Sequence, residues 1–174
     1  MALLDLIDKI STSIENKEYT LGIFLDLAKA FDTVNHKILL NKLFSYGIRG
    51  TAYNWFKNYL SNRHQYVYLN NTKSDNLSVT CGVPQGSILG PLLFLLYIND
   101  LNTVSNLLTI IMFADDTNIF ISGHNLNLQN LNLTANIELK KISDWFSANL
   151  LSLNIKKLII YYLATKNLTT YQYR

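Results

Sequence analysis

One cysteine, Cys81, is all the thiol chemistry this chain has. That excludes an intrachain disulfide and any cysteine-based zinc cluster. Long hydrophobic runs are also missing. The longest apolar stretch, around Ile88 to Ile98, is too short to cross a bilayer and contains Gly90 and Pro91. No long run of lysine or arginine occurs, and a net charge of +3 permits contact with nucleic acid without demanding it. The N-terminus, M-A-L-L-D-L-I-D-K-I, carries acids where a secretion signal would carry bases and a long apolar core. The expectation is an intracellular protein of nucleus or cytoplasm, neither secreted nor membrane-bound. No repeat, linker or low-complexity tract interrupts the sequence.

Core-forming residues are abundant. An apolar fraction of 49% against 16% charged residues indicates a globular chain, and 174 residues suit one domain. Eleven tyrosines, eight phenylalanines and two tryptophans supply a large aromatic payload for its core.

Apolar residues at helical spacing predict an amphipathic helix over 3–16, followed by a strand over Tyr19–Leu25 that ends at Asp26. Asp32-Thr33 can cap a helix running to about Tyr46 and stopping at Gly47. A second helix fits Thr51–Leu60, with Trp55, Phe56 and Tyr59 at core spacing. Tyr66–Leu69 and Leu77–Thr80 alternate like paired strands around a polar turn. A Gly/Pro loop, Gly82–Ser87, precedes an apolar helix over about 89–101. Two strand-length runs then flank A-D-D-T-N within Leu107–Ser122, predicting a β-hairpin with carboxylates at its tip. A long helix over 126–149 and a strand over 158–163 close the chain. Strands and helices interleave without a regular βαβ repeat, which favours an α+β fold.

Asp115 and Asp116 are the chemical puzzle of this layout. Aspartate is a poor strand residue, and two unit charges about 4 Å apart repel by ~4 kcal/mol at an effective dielectric of about 20. A divalent cation held by oxygen ligands would relieve that repulsion, whereas a solvated turn would merely dilute it. Asp26 tips the balance, because aspartate at the end of a buried strand is rare unless it is paired or binds metal. With strand and hairpin in one antiparallel sheet, all three carboxylates can meet on one face. Such a set can hold two cations for in-line phosphoryl displacement.

Four stretches carry a resemblance: F-L-D-L-A-K-A-F-D (Phe24–Asp32), G-V-P-Q-G-S-I-L-G-P (Gly82–Pro91), Y-I-N-D-L (Tyr97–Leu101) and F-A-D-D-T (Phe113–Thr117). In order and spacing they resemble reverse transcriptases, above all those of non-LTR (LINE-type) retrotransposons of the jockey, CR1 or I kind. H-K-I-L-L-N-K-L, G-I-R-G-T-A-Y-N-W-F-K-N-Y-L-S-N-R and L-S-L-N-I-K-K fit the same group, and the resemblance covers about residues 15–165. It implies a palm, an antiparallel sheet with a catalytic hairpin packed on helices, over about 20–165. Partial fingers over about 48–82 would complete a single partial domain spanning 1–174, with no thumb.

The resemblance also implies roles. Asp26 and Asp115 would be the shared metal ligands, with the Leu27 carbonyl as a further ligand. Asp116 would be the less tightly engaged acid of the catalytic set. Phe31 would lie under the incoming sugar and exclude a ribose 2′-hydroxyl, and Gln85 with Gly86 would contact nucleotide and template. Lys157, in the N-x-x-K motif, would donate a proton to the leaving pyrophosphate. The implied activity is RNA-directed DNA synthesis with two Mg²⁺ ions (Mn²⁺ as a substitute), an RNA template, a DNA primer and deoxynucleoside triphosphates. Asp32, Asp100, Trp55, Trp145 and Cys81 read as structural, and His36, His64 and His124 show no ligand spacing.

The sequence also departs from the family pattern. Only about 25 residues precede Asp26, and none is arginine. Leu158 stands where the family usually has threonine after the lysine, and the chain ends at Arg174. These departures set a second reading beside the polymerase: a truncated, catalytically inactive remnant that at most binds RNA or a partner.

Overall fold

The computed structural model describes residues 2–16, 18–123, 128–163 and 169–171. In chain order it forms α1 (Ala2–Glu15), β1 (Tyr19–Leu25), a 3₁₀ turn (Ala30–Asp32), α2 (His36–Ser45) and α3 (Gly50–Leu60). Four short strands follow: β2 (His64–Gln65), β3 (Tyr68–Leu69), β4 (Thr72–Lys73) and β5 (Leu77–Ser78). Next come α4 (Leu89–Ile98), a 3₁₀ segment (Asn99–Thr103), β6 (Thr109–Phe113), β7 (Asp116–Gly123) and α5 (Leu128–Ala148). A 3₁₀ turn (Ile155–Lys157), β8 (Ile159–Leu163) and β9 (Thr169–Tyr171) complete it. His124 and the first two positions expected of the long helix, Leu126 and Asn127, lie outside the described residues. Residues 1–28 with 100–174 form one compact unit, and 29–99 another.

The first unit is a five-stranded antiparallel sheet in the order β6-β7-β1-β8-β9. β1 is central, which explains its near-continuous burial. Ile23 pairs with Ile119 and Leu21 with Ile121, so the period of two stacks both pairs on one face. α5 packs on β1 and β7, and its Leu131, Ala135, Ile142 and Phe146 are buried. Tyr162 on the same face donates from its hydroxyl to Asn132 Oδ1 at 2.8 Å. Glu138 falls in that buried helical stripe. Its Oε1 accepts from Lys141 Nζ at 2.7 Å while Oε2 is buried with no hydrogen-bond partner among the described residues, and Lys141 first, then the Ser105 hydroxyl, holds the carboxyl below the ordinary glutamate range.

On the other face, Gly22 lies between Phe120 and Tyr161, and Phe24 meets both of those rings edge-to-face. α1 packs on β1 and β6, with the buried Ser13 hydroxyl 3.4 Å from that of Ser122. The helix forms as its spacing predicts, yet Leu4, Ile7 and Ile14 are exposed.

In the second unit, α2 packs on α3 and α4 around Leu39, Leu43, Leu60, Leu93, Phe94 and Tyr97. The cap of α2 corrects the sequence expectation. Asn35, and not Asp32, accepts from the Ile38 N–H at 3.0 Å. Trp55 stacks on Tyr59 and stays half exposed, outside the core that its spacing suggested. The strand pairing also differs from the expectation. Tyr68-Leu69 turns back on Thr72-Lys73 through Asn70-Asn71, both at positive φ, while His64-Gln65 pairs with Leu77-Ser78. Asparagine tolerates this left-handed backbone, so the hairpin turns inside the stretch expected to be loop.

Candidate active site

In the first unit, β1 ends at Leu25, whose partner is Thr117 on β7. Asp26 follows Leu25, and Asp116 precedes Thr117, so both acids close the same end of one ladder. The hairpin turn is shorter than the polar block suggested. Phe113 pairs with Asp116, leaving only Ala114, at φ +54°, and Asp115 to make the turn. Asp116 is therefore a strand residue, exposed, and of the two acids only Asp115 lies in the turn, half-buried. A five-residue polar block looks like a loop, but Thr117 is fully buried and belongs to the sheet.

The Asp26 carboxylate is already engaged. Lys157 Nζ lies 3.1 Å from Oδ2, and Asn154 Nδ2 donates to the same oxygen at 2.9 Å. The hydrogen bond from Lys157, then that from Asn154, holds the carboxyl below its ordinary range, against a smaller upward push from burial. The backbone tightens the arrangement. The Asn154 N–H donates to the Asp26 carbonyl at 2.8 Å, and the Ala28 N–H donates to Ser152 at 2.8 Å. Those two bonds form the Leu27–Leu153 bridge and leave the Leu27 carbonyl out of it. Asn154 is the site residue that sequence reasoning passed over, although it is the first letter of the N-I-K-K run already singled out for Lys157.

Among the described residues, no three His, Cys, Asp or Glu side chains are gathered closely enough to enclose a metal ion. The sheet thus brings three acidic positions to one end without closing a three-carboxylate cage. The donor chemistry nonetheless suits a hard cation. Aspartate oxygens are its preferred ligands, and Asp26 already takes a cationic group.

The second unit positions the remaining predicted residues. The loop after β5 is laced to the stretch before α2: the Gly82 N–H donates to Val34, the Val83 N–H to Phe31, both at 2.8 Å. Gly82 has φ +84°, and a Cβ there would stand 2.8 Å from the Asp32 carbonyl oxygen. Gly90 likewise admits the Pro84 carbonyl, which a Cβ would meet at 2.6 Å. So held, Gln85 donates from Nε2 to Asp32 Oδ1 at 2.8 Å. Asp32 therefore holds Gln85 instead of capping α2. Phe31 is half-buried, its ring 4.7 Å from that of Phe94, and Gly86 is exposed at φ +77°. A cavity of about 470 Å³ opens beside Asp32 and Gln85, with Arg63, His64 and Ser78 among its walls.

The chain is 38% identical over 95 residues to the probable RNA-directed DNA polymerase from transposon X-element of Drosophila melanogaster, covering 55% of this chain and 10% of that protein. It is 35% identical over 124 residues to the RNA-directed DNA polymerase from mobile element jockey of the same organism, covering 66% and 13%. The chain thus spans about a tenth of the length of these relatives. Among solved structures, telomerase from Candida tropicalis in complex with a fragment of telomeric RNA matches 99% of this chain and 33% of its own, with a TM-score of 0.69 at 11% identity. Telomerase from Candida albicans matches 97% and 34%, with a TM-score of 0.61 at 13% identity. At that identity the likeness concerns the fold, which is the palm-like α+β arrangement expected from the motifs. Residues 3–171 match the family described as reverse transcriptase (RNA-dependent DNA polymerase), and the chain belongs to that family.

Proposed function

We propose that this chain is the nucleotidyl-transfer region of a retroelement RNA-directed DNA polymerase, extending a DNA 3′-hydroxyl on an RNA template. One observation carries the reading: Asp26 and Asp116 close the same end of the β1–β7 ladder, with Asp115 in the adjoining turn. Reverse transcriptases generally use divalent metal, and here Asp26 and Asp115 would hold two Mg²⁺ ions, or Mn²⁺ in their place. The Leu27 carbonyl would be a further ligand and Asp116 a weaker one. Bound there, the ions would lower the pKa of the attacking hydroxyl and stabilise the leaving oxygen.

The protein's own groups do the rest. Lys157 supplies a cation that stabilises developing negative charge and can return a proton to pyrophosphate. Phe31 presents an aromatic face to the sugar, against a 2′-hydroxyl. Gln85, fixed by Asp32, and Gly86, without a side chain, contact nucleotide and template. The partners are thus an RNA template, a DNA primer and deoxynucleoside triphosphates.

Primer extension on an RNA template with Mg²⁺ tests this. The chain should incorporate deoxynucleotides, and an Asp115→Asn, Asp116→Asn double variant should not. Equal signals from the two would sink the proposal.

A further inference from the structure

Asp26, the carboxylate that should receive metal, has one of its two oxygens occupied by the chain itself. Asp26 Oδ2 accepts from Asn154 Nδ2 at 2.9 Å and pairs with Lys157 Nζ at 3.1 Å. A carboxylate oxygen offers about two lone-pair directions, and both are taken. A divalent ion must bind within about 2.0–2.6 Å of its oxygen ligands, so one of the two partners has to leave before Oδ2 can ligate, and an ion held through Oδ1 would still face the like charge of Lys157 across the same carboxyl group.

The partners differ in how easily they go. Asn154 is neutral, half-buried, and fastened by its backbone N–H to the Asp26 carbonyl at 2.8 Å. Lys157 hangs on a flexible stem, 65% exposed, and carries a charge of the same sign as the incoming ion.

Resting on the metal-site reading above, we propose that Asn154 is the positioning residue for Asp26, and that Lys157 is a cation placeholder displaced from Asp26 when a divalent ion binds. Without metal, the ammonium neutralises Asp26 at a sheet end that also carries Asp115 and Asp116. With metal, Asn154 keeps the carboxylate oriented, and the freed ammonium becomes available to other anions at the site. Metal loading and the liberation of Lys157 are then one event.

The test measures Mn²⁺ binding to the whole chain by the electron paramagnetic resonance of free Mn²⁺, in the absence of substrates. Alongside it, the rate of Lys157 acylation is followed by mass spectrometry, with Lys156 as internal reference. Lys157→Met should tighten Mn²⁺ binding about two- to fivefold, the factor a part-exposed ion pair is worth. Asn154→Ala should weaken it, with circular dichroism confirming the fold. In the unaltered chain, Mn²⁺ should speed Lys157 acylation relative to Lys156, and Asp26→Asn should abolish both the binding and the acceleration.

Unchanged affinity in Lys157→Met, or Lys157 acylation indifferent to Mn²⁺, overturns the placeholder while an Asp26-dependent site would stand. Unchanged affinity in a folded Asn154→Ala overturns the positioning role. Mn²⁺ binding that survives Asp26→Asn overturns the metal-site reading itself, and the inference with it. The acylation comparison in the unaltered chain decides the placeholder even if Asn154→Ala does not fold, and Asn154→Ser then takes its place in the test of positioning.

Discussion

Replacing Gly82 with alanine should be far more damaging than replacing Gly86, although both sit at positive φ in one short loop. At φ +84° and +77°, either alanine enters the left-handed region, which costs an L residue about 1–2 kcal/mol. At Gly86 nothing lies within 4 Å of the new Cβ, so that is the whole penalty. At Gly82 the Cβ would meet the Asp32 carbonyl oxygen at 2.8 Å and its Cα at 3.0 Å. Those are backbone atoms, which cannot swing aside as a side chain can. Forcing the loop away adds an overpacking cost of about 1–3 kcal/mol and strains the bonds to Phe31 and Val34. Gly82→Ala should therefore lose about 2–5 kcal/mol, and Gly86→Ala about 1–2 kcal/mol. The entropy that each substitution removes from the unfolded chain is alike, so it cancels in the difference. Urea unfolding followed by tryptophan fluorescence gives both values. Equal losses would refute the claim that this loop is held by close approach to Asp32.

Two further substitutions probe the first unit. Glu138→Gln keeps the shape but removes the charge that Lys141 and Ser105 support, and should cost about 1–3 kcal/mol at neutral pH. The low end is expected, since the Lys141 side chain is half exposed. Because the folded carboxyl titrates below its ordinary value, this contribution is present above that value and fades as pH falls through the lowered one. Stability differences measured by urea between pH 7 and pH 3 should shrink towards zero; a constant difference would contradict the pairing. Thr117→Val should be neutral or stabilising by about 1 kcal/mol, because Thr117 Oγ1 is buried with no hydrogen-bond partner among the described residues. A clear fall in thermal midpoint would show that the hydroxyl has a partner.

The parts of this fold legible in the sequence are those where one local signal dominates. Tyr19–Leu25 is an apolar run with glycine at its centre and aspartate after it, and it forms the central strand with the expected bounds. Asp32 and Asn35 show what local chemistry leaves open. Both are good N-caps three residues apart, and in the fold Asn35 takes the α2 cap while Asp32, in the preceding 3₁₀ turn, takes Gln85. The same holds in the arm between α3 and α4, where two stretches of alternating residues can pair in several registers. There the Asn70-Asn71 turn selects the register. At this end of the sheet, the convergence of Asp26 with the hairpin acids was readable, since aspartate at a buried strand end is rare unless it is paired or binds metal. Asn154 was not, because an asparagine before a 3₁₀ turn has an ordinary structural role until Asp26, 128 residues away in sequence, is brought against it.

Iron-mediated cleavage tests most directly whether the end of the β1–β7 ladder is where divalent ions bind. With Fe²⁺ replacing Mg²⁺, ascorbate and peroxide generate radicals that cut the backbone within reach of the bound ion, and mass spectrometry locates the cuts. Cuts near Asp26 and near Ala114–Asp116, suppressed by excess Mg²⁺ and lost in Asp26→Asn, are the predicted result. Cuts elsewhere, or the same cuts in Asp26→Asn, would contradict the account.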